Sequence, residues 1–247
     1  MFLDPRFHGD DTNTNMLKFI PLEKLKVQRP VNRLTYISQF CKNKKVLDIG
    51  CYDETAIKLK KNNGYWLHGL ISREAKKVIG IDSSEKIKSE IKTSSRSKII
   101  KLNLYDLDRS FVKDNRVDVI VAGELIEHII DVTKFLQLLK KLYSKKILLL
   151  STPNATSLSN VLLAFFNRES NHKDHTQIFS YKTLYSLCIK NGFKKFEIIP
   201  YNVKFTEMYL KSSRVTGFFV LVLERIINIG ENIFPMLSGG YVVKIKL

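Results

Sequence analysis

Glu124, Glu127 and His128 are spaced i, i+3 and i+4, so on a helix two carboxylates and an imidazole share one face. An imidazole titrates near neutrality and can take a proton from a hydroxyl, which makes His128 the candidate general base. A second set of acids closes two short apolar runs, Lys45-Val46-Leu47-Asp48 and Lys77-Val78-Ile79-Gly80-Ile81-Asp82. Gly50 follows the first acid, and a glycine there lets backbone N–H groups approach a ligand that a Cβ would hold off. Asp82 stands where an acid can accept both hydroxyls of a ribose, its role in dinucleotide folds. Taken alone, Asp82 with Ser83 and Ser84 is equally an ordinary capping sequence for a helix beginning at Glu85.

These residues meet only if a parallel sheet carries them to one edge. The chain predicts such a sheet. A helix over Arg33 to Cys41 precedes the first strand, and a helical pattern (Ala56, Ile57, Leu59) follows it to an Asn62-Asn63-Gly64 stop. A second amphipathic piece, Tyr65 to Ala75, leads to the strand that ends in Asp82. Further strands are expected at Ile99–Leu102, Val117–Ala122, Lys146–Ser151, Phe193–Pro200 and Tyr241–Leu247, with helices at Asp131–Tyr143, Leu158–Phe166 and from Ser180. Alternation of strand and helix is the mark of a doubly wound α/β domain.

The expected organisation is one domain over 31–247 with insertions at about 153–179 and 204–237, preceded by a loosely attached tail over 1–30. Asp4 to Asp11 resembles translated repeat elements that become fused to bacterial reading frames, which makes Met16 an expected start. With 247 residues and 44% apolar content the chain can bury a sizeable core. Cys41, Cys51 and Cys188 are widely spaced and odd in number, which fits neither a disulfide framework nor a zinc site and points to a reducing cytoplasm. The net charge of +17 comes from lysines scattered over every expected helix. It reads first as a solvated surface, with nucleic acid as the lesser alternative. Gly217 to Leu223 is an unbroken apolar run, too short to span a bilayer; it reads first as a cap helix and second as a surface for lipid or another subunit.

Asp48-Ile49-Gly50 resembles the first motif of the class I S-adenosylmethionine-dependent methyltransferases, with Tyr52 where that motif has its second glycine. Asp118 to Ile129 (Asp-Val-Ile-Val-Ala-Gly-Glu-Leu-Ile-Glu-His-Ile) and Ser151-Thr152-Pro153-Asn154 are similar to the fourth-strand and fifth-strand motifs of ubiquinone-biosynthesis and polysaccharide O-methyltransferases. Asp174 to Ser180 and Asn191-Gly192-Phe193 resemble the sugar and cell-surface polysaccharide subgroup. The resemblance implies a Rossmann-like sheet of seven strands, mostly parallel with an antiparallel last strand, carrying helical caps. It implies S-adenosylmethionine as cofactor, with Asp48 and Gly50 at the methionine part, Asp82 at the ribose, Asp106 and Leu107 at the adenine, and Cys51, Ser83, Ala122 and Glu124 beside them. The implied acceptor is a sugar, a glycan precursor or another small hydroxylated metabolite.

Three roles stand for Glu124, Glu127 and His128. His128 is the base, or the group is structural, or it holds a divalent metal with a later histidine. The last follows from a resemblance to the small-RNA 2′-O-methyltransferases, which carry Glu-x-x-Glu-His, Ser-Thr-Pro-Asn and a histidine-rich turn; here the turn is Asn171 to His175, with His175 the better candidate. A nicotinamide dehydrogenase would need Gly-x-Gly-x-x-Gly, which Gly50-Cys51-Tyr52-Asp53 lacks. A cofactor-free scaffold on the same fold is the remaining alternative, and Tyr52 is the residue that raises it.

Overall fold

A computed structural model describes residues 17–20, 22–54 and 57–247. The expected fusion segment, the start at Met16 and Ala56 lie outside them. Asn32 caps α1 (Arg33–Phe40), whose chain enters β1 (Lys45–Ile49) and then α2 (Ile57–Asn62). α3 (Leu67–Glu74) delivers β2 (Lys77–Asp82), which is followed by β3 (Glu90–Ser94), β4 (Ser97–Lys101) and α4 (Arg109–Asp114). Next come β5 (Val119–Gly123), α5 (Val132–Leu142) and β6 (Ile147–Pro153). The last part holds α6 (Leu158–Ala164), α7 (Tyr181–Lys190), β7 (Phe196–Tyr201), α8 (Thr206–Lys211), α9 (Arg214–Ile233) and β8 (Gly240–Lys246).

The strands form one sheet in the order β3-β4-β2-β1-β5-β6-β8-β7. The five from β4 to β6 run parallel, while β8 is antiparallel to both β6 and β7, and β3 is antiparallel to β4. Side chains alternate across the sheet, so β1 sends Val46 to one apolar cluster and Leu47 and Ile49 to the other. Ile37 of α1 and Ile71 of α3 cover the first face; Phe135 and Leu139 of α5 and Leu184 of α7 cover the second. Burial on both faces is the condition for a parallel sheet.

Eight strands replace the seven expected. The helix expected from Glu85 is absent; instead the Ile87 N–H closes a turn on the Ser84 carbonyl (3.1 Å) and the chain runs on as β3. Ile87 and Ile91 are four apart, a helical spacing, but Ile87 is consumed by the cluster of Cys51, Trp66 and Ile99. Ile91 packs on the margin of the same cluster, within an edge strand whose Glu90 pairs with Lys98 of β4 (2.6 Å). Ahead of α1, Glu23 pairs with Lys182 of α7 (3.0 Å), and Val31 bridges to Tyr201 of β7. α6 and α9 pack on each other.

Candidate active site

A cavity of about 1190 Å³ opens beyond the carboxyl ends of the parallel strands, where ligands of such sheets bind. Asp48, Gly50, Cys51, Asp82, Ser83, Glu124, Glu127, His128 and His175 are on its wall. Gly50 has φ +70, and a Cβ there would meet Leu125 Cδ1 at 2.7 Å, so the turn after β1 requires glycine.

Asp82 ends β2 and is held from two sides: the Tyr52 N–H donates to Oδ2 (2.8 Å) and the Ser84 N–H to Oδ1 (2.9 Å). Desolvation raises its carboxyl above the usual range, against these two hydrogen bonds. Each oxygen retains a lone pair, which fits the hydroxyls of a ribose in the cavity. Tyr52, at the position of the second glycine, packs against the cluster of Cys51, Trp66, Ile87 and Ile99 while also lining the cavity. The Cys51 thiol is pushed well up by burial and by Asp48, which leaves it an unreactive filler.

Asp48 is 2% exposed and bound by a partner the sequence reading missed. His68 Nδ1 lies 2.9 Å from Asp48 Oδ2, and a carboxylate only accepts, so Nδ1 carries the hydrogen. On the other side His68 Nε2 meets Ser97 Oγ (2.8 Å), which in turn accepts from Thr93 Oγ1 (2.8 Å). The structure thus ties the β1 acid to the β3–β4 hairpin through α3.

The expected helical face of Glu124, Glu127 and His128 does not form. β5 continues its pairing one step beyond Gly123, with the Glu124 N–H donating to the Ser151 carbonyl (3.0 Å), and Glu124 has the left-handed φ of +53. Only Ile126–His128 is helical, and it is a 3₁₀ turn. Glu124 Oε1 accepts from Ser151 Oγ and Tyr201 OH (3.0 Å each), with Arg33 Nη1 at 3.7 Å. Burial and the Glu124 charge push the Tyr201 hydroxyl well up, so it stays a donor.

Glu127 is 1% exposed, and neither carboxylate oxygen has a hydrogen-bond partner. Desolvation, with the charge of Glu124 second, pushes its carboxyl up to about 8. His128 Nδ1 faces the Asp174 carbonyl (3.2 Å), which can only accept. In the neutral ring the hydrogen is therefore on Nδ1 and Nε2 is the free acceptor. The rings of His128 and His175 stand edge to face at 4.7 Å, and one ligand atom from each of Glu127, His128 and His175 lies within 4.8 Å of the others. Burial lowers the pKa of His175, as does the nearby His128, and its buried Nδ1 is unpartnered. The Thr176 N–H donates to the Glu127 carbonyl (2.8 Å), fixing the histidine loop to the turn.

Asp106, Leu107 and Ala122 are not on the cavity wall. A 3₁₀ turn over Leu104–Asp106, capped by Asn103, leaves Asp106 exposed and turns Leu107 into the core; Asn103, Leu104 and Tyr105 line the cavity instead. Ala122 points into the core because strand alternation puts its Cβ on the buried face.

A parallel sheet of this order, with acids from adjacent strands lining one cavity at its carboxyl edge, is the architecture of the Rossmann-like class. Residues 23–198, well over half of the chain, match the family model for the methyltransferase domain, and the chain belongs to that family. No match is found among curated proteins. Among solved structures, the small RNA methyltransferase HEN1 superposes with a TM-score of 0.54 at 15% identity, over 87% of this chain and 24% of HEN1. A protein of Anabaena variabilis assigned as a methyltransferase from an antibiotic biosynthesis pathway gives 0.50 at 15% identity, over 87% of this chain and 96% of its own. Magnesium protoporphyrin IX methyltransferase from Synechocystis, with S-adenosylhomocysteine bound, gives 0.48 at 12% identity, over 86% and 80%. These likenesses are of fold. The cofactor of the family is S-adenosylmethionine, and the paired lone pairs of Asp82 beside the Gly50 turn fit its nucleoside.

Proposed function

We propose that this chain is an S-adenosylmethionine-dependent O-methyltransferase whose acceptor is a sugar, a glycan precursor or another small hydroxylated molecule. The observation that carries the reading is that Asp82 and His128 border one cavity, with His128 Nδ1 turned to the Asp174 carbonyl. When bound, S-adenosylmethionine supplies an electrophilic methyl on a sulfonium. The chain's own work is then to orient an acceptor hydroxyl, exclude water and take up its proton. Asp82 holds the ribose, the Gly50 backbone borders the methionine part, and Asn103 to Tyr105 replace Asp106 and Leu107 beside the base. His128 Nε2 receives the acceptor proton, while Glu124, locked by Tyr201, Ser151 and Arg33, positions the turn that carries it. The three buried, unpaired cysteines support a reducing compartment, the cytoplasm.

One observation favours a second reading. Glu127 offers two buried, unpartnered oxygens beside His128 and His175, a set that suits a divalent cation, and the fold superposes on a small RNA methyltransferase. These three side chains would hold the cation, which would lower the pKa of a ribose 2′-hydroxyl. Two titrations test the readings. S-adenosylhomocysteine should raise the melting temperature, and a protein that does not respond is a scaffold. Methyl transfer from labelled S-adenosylmethionine to sugar nucleotides in the presence of a chelator supports the first reading; transfer only to RNA, and only with manganese, supports the second.

A further inference from the structure

α9 is inverted relative to an ordinary surface helix. Its buried stripe is Gly217, Val220, Glu224, Ile227 and Glu231, which brings both of its acids inward. They hold the loop after β7: Glu224 Oε2 accepts from the Phe205 N–H (2.8 Å), and Glu231 Oε2 from the Val203 N–H and Asn202 Nδ2 (3.0 Å each). Val215, Phe219, Val222, Ile226, Ile229 and Ile233 recur at steps of three and four on the opposite side, and all are exposed, Phe219 at 64% and Ile226 at 61%. Phe218 and Leu221 widen the face beyond a single seam. α6 packs alongside, with Leu158 against Gly230, and is followed by exposed Phe165 and Phe166. A contiguous apolar face of this breadth marks a contact surface.

The charges on α9 select the partner. Arg214 and Arg225 are its exposed ionic residues. A second copy would bring together two chains that each carry a net charge of +17. A seam between two helices also needs only a narrow stripe. An anionic bilayer satisfies both features: apolar side chains enter the acyl boundary and arginines reach the phosphates. No helix among the described residues is long and apolar enough to cross a membrane, so the contact is interfacial.

We propose that α9 lies in the headgroup layer of an anionic lipid membrane, with Phe219, Val222, Ile226 and Ile229 inserted and Arg214 and Arg225 at the lipid phosphates. α8, whose Thr206 and Met208 line the cavity, packs on α9, so the same cap that walls the site rests on the lipid. Acceptors carried on an amphiphile would thereby reach the site from the membrane surface. Lipid binding requires no cofactor, so this proposal stands or falls separately from the methyl-transfer reading.

Sedimentation with phosphatidylcholine vesicles, with and without phosphatidylglycerol, tests it on the full chain. The wild type should bind the anionic vesicles and be partly released by salt. Phe219→Ser with Ile226→Ser should lower the partition about tenfold or more, as expected for two large apolar groups kept from the acyl boundary. Arg225→Glu should remove the preference for anionic lipid. A cooperative thermal transition like that of the wild type, followed by circular dichroism, shows that each variant is folded. Absence of binding to either vesicle, or equal binding by wild type and double variant, overturns the proposal. So does a vesicle-free dimer that the double variant converts to monomer, which would give the face to a second copy.

Discussion

His68 Nδ1 and Asp48 Oδ2 are 2.9 Å apart, and both side chains are buried in the wall of the cavity. The acid at the end of β1 is therefore a member of a chain, Thr93 to Ser97 to His68 to Asp48, that joins four elements, β3, β4, α3 and β1.

Removing the imidazole leaves a buried carboxylate without its donor. His68→Ala should cost about 3–5 kcal/mol by urea unfolding. Adding Asp48→Asn should cost much less in that background than in the wild type, because the two residues share one interaction. Additive losses would contradict the coupling.

Asp82→Ala should leave the fold intact and weaken S-adenosylhomocysteine by about tenfold to a hundredfold in calorimetry, the loss expected for hydrogen bonds to a carboxylate. An affinity equal to that of the wild type would remove Asp82 from the ribose site.

Glu127 gives stability a pH dependence. Its carboxyl is at about 8 in the folded chain against 4.5 for the ordinary group. Between those values the folded state keeps a proton that the unfolded state has released, so stability falls as pH rises through this window and levels off above it. In a chelator, Glu127→Gln should flatten that decline and melt higher than the wild type at about pH 8. Parallel melting curves would refute the assignment.

Gly50→Ala combines a left-handed backbone with a Cβ 2.7 Å from Leu125 Cδ1. The backbone alone should cost about 1–2 kcal/mol. Leu125→Ala should relieve the contact but not the backbone strain, so the double variant should remain less stable than Leu125→Ala alone. Equal melting temperatures for those two would show that Gly50 is replaceable.

The regular strands were legible because apolar runs closed by an acid or a turn have few other ways to bury themselves. Val46 to Ile49, Val78 to Ile81 and Val119 to Ala122 lie in the strands expected for them. Ser83 and Ser84 misled because a residue that can cap a helix can equally open a single turn, and the contact of Ile87 with Trp66 and Ile99 accompanies the turn. Glu124 misled for a related reason. Its place on a helix face assumed that the helix began at once, whereas pairing with Ser151 carried the sheet one residue further.

Local spacing by itself determined that Asp48, Gly50 and Asp82 would end or follow neighbouring parallel strands, since strand period and turn chemistry act over a few residues. It also brought Glu127 and His128 close together, for the same reason. Only the tertiary structure decided that His68 would bind Asp48, that Tyr201 and Arg33 would take Glu124 away from its neighbours, and that His175 would join Glu127 and His128. Each of these pairings closes a loop of tens of residues, and its geometry depends on where the packed sheet sets two distant backbones. The outward apolar face of α9 was settled in the same way. Its acids Glu231 and Glu224 face inward, where they accept from the N–H groups of Val203 and Phe205.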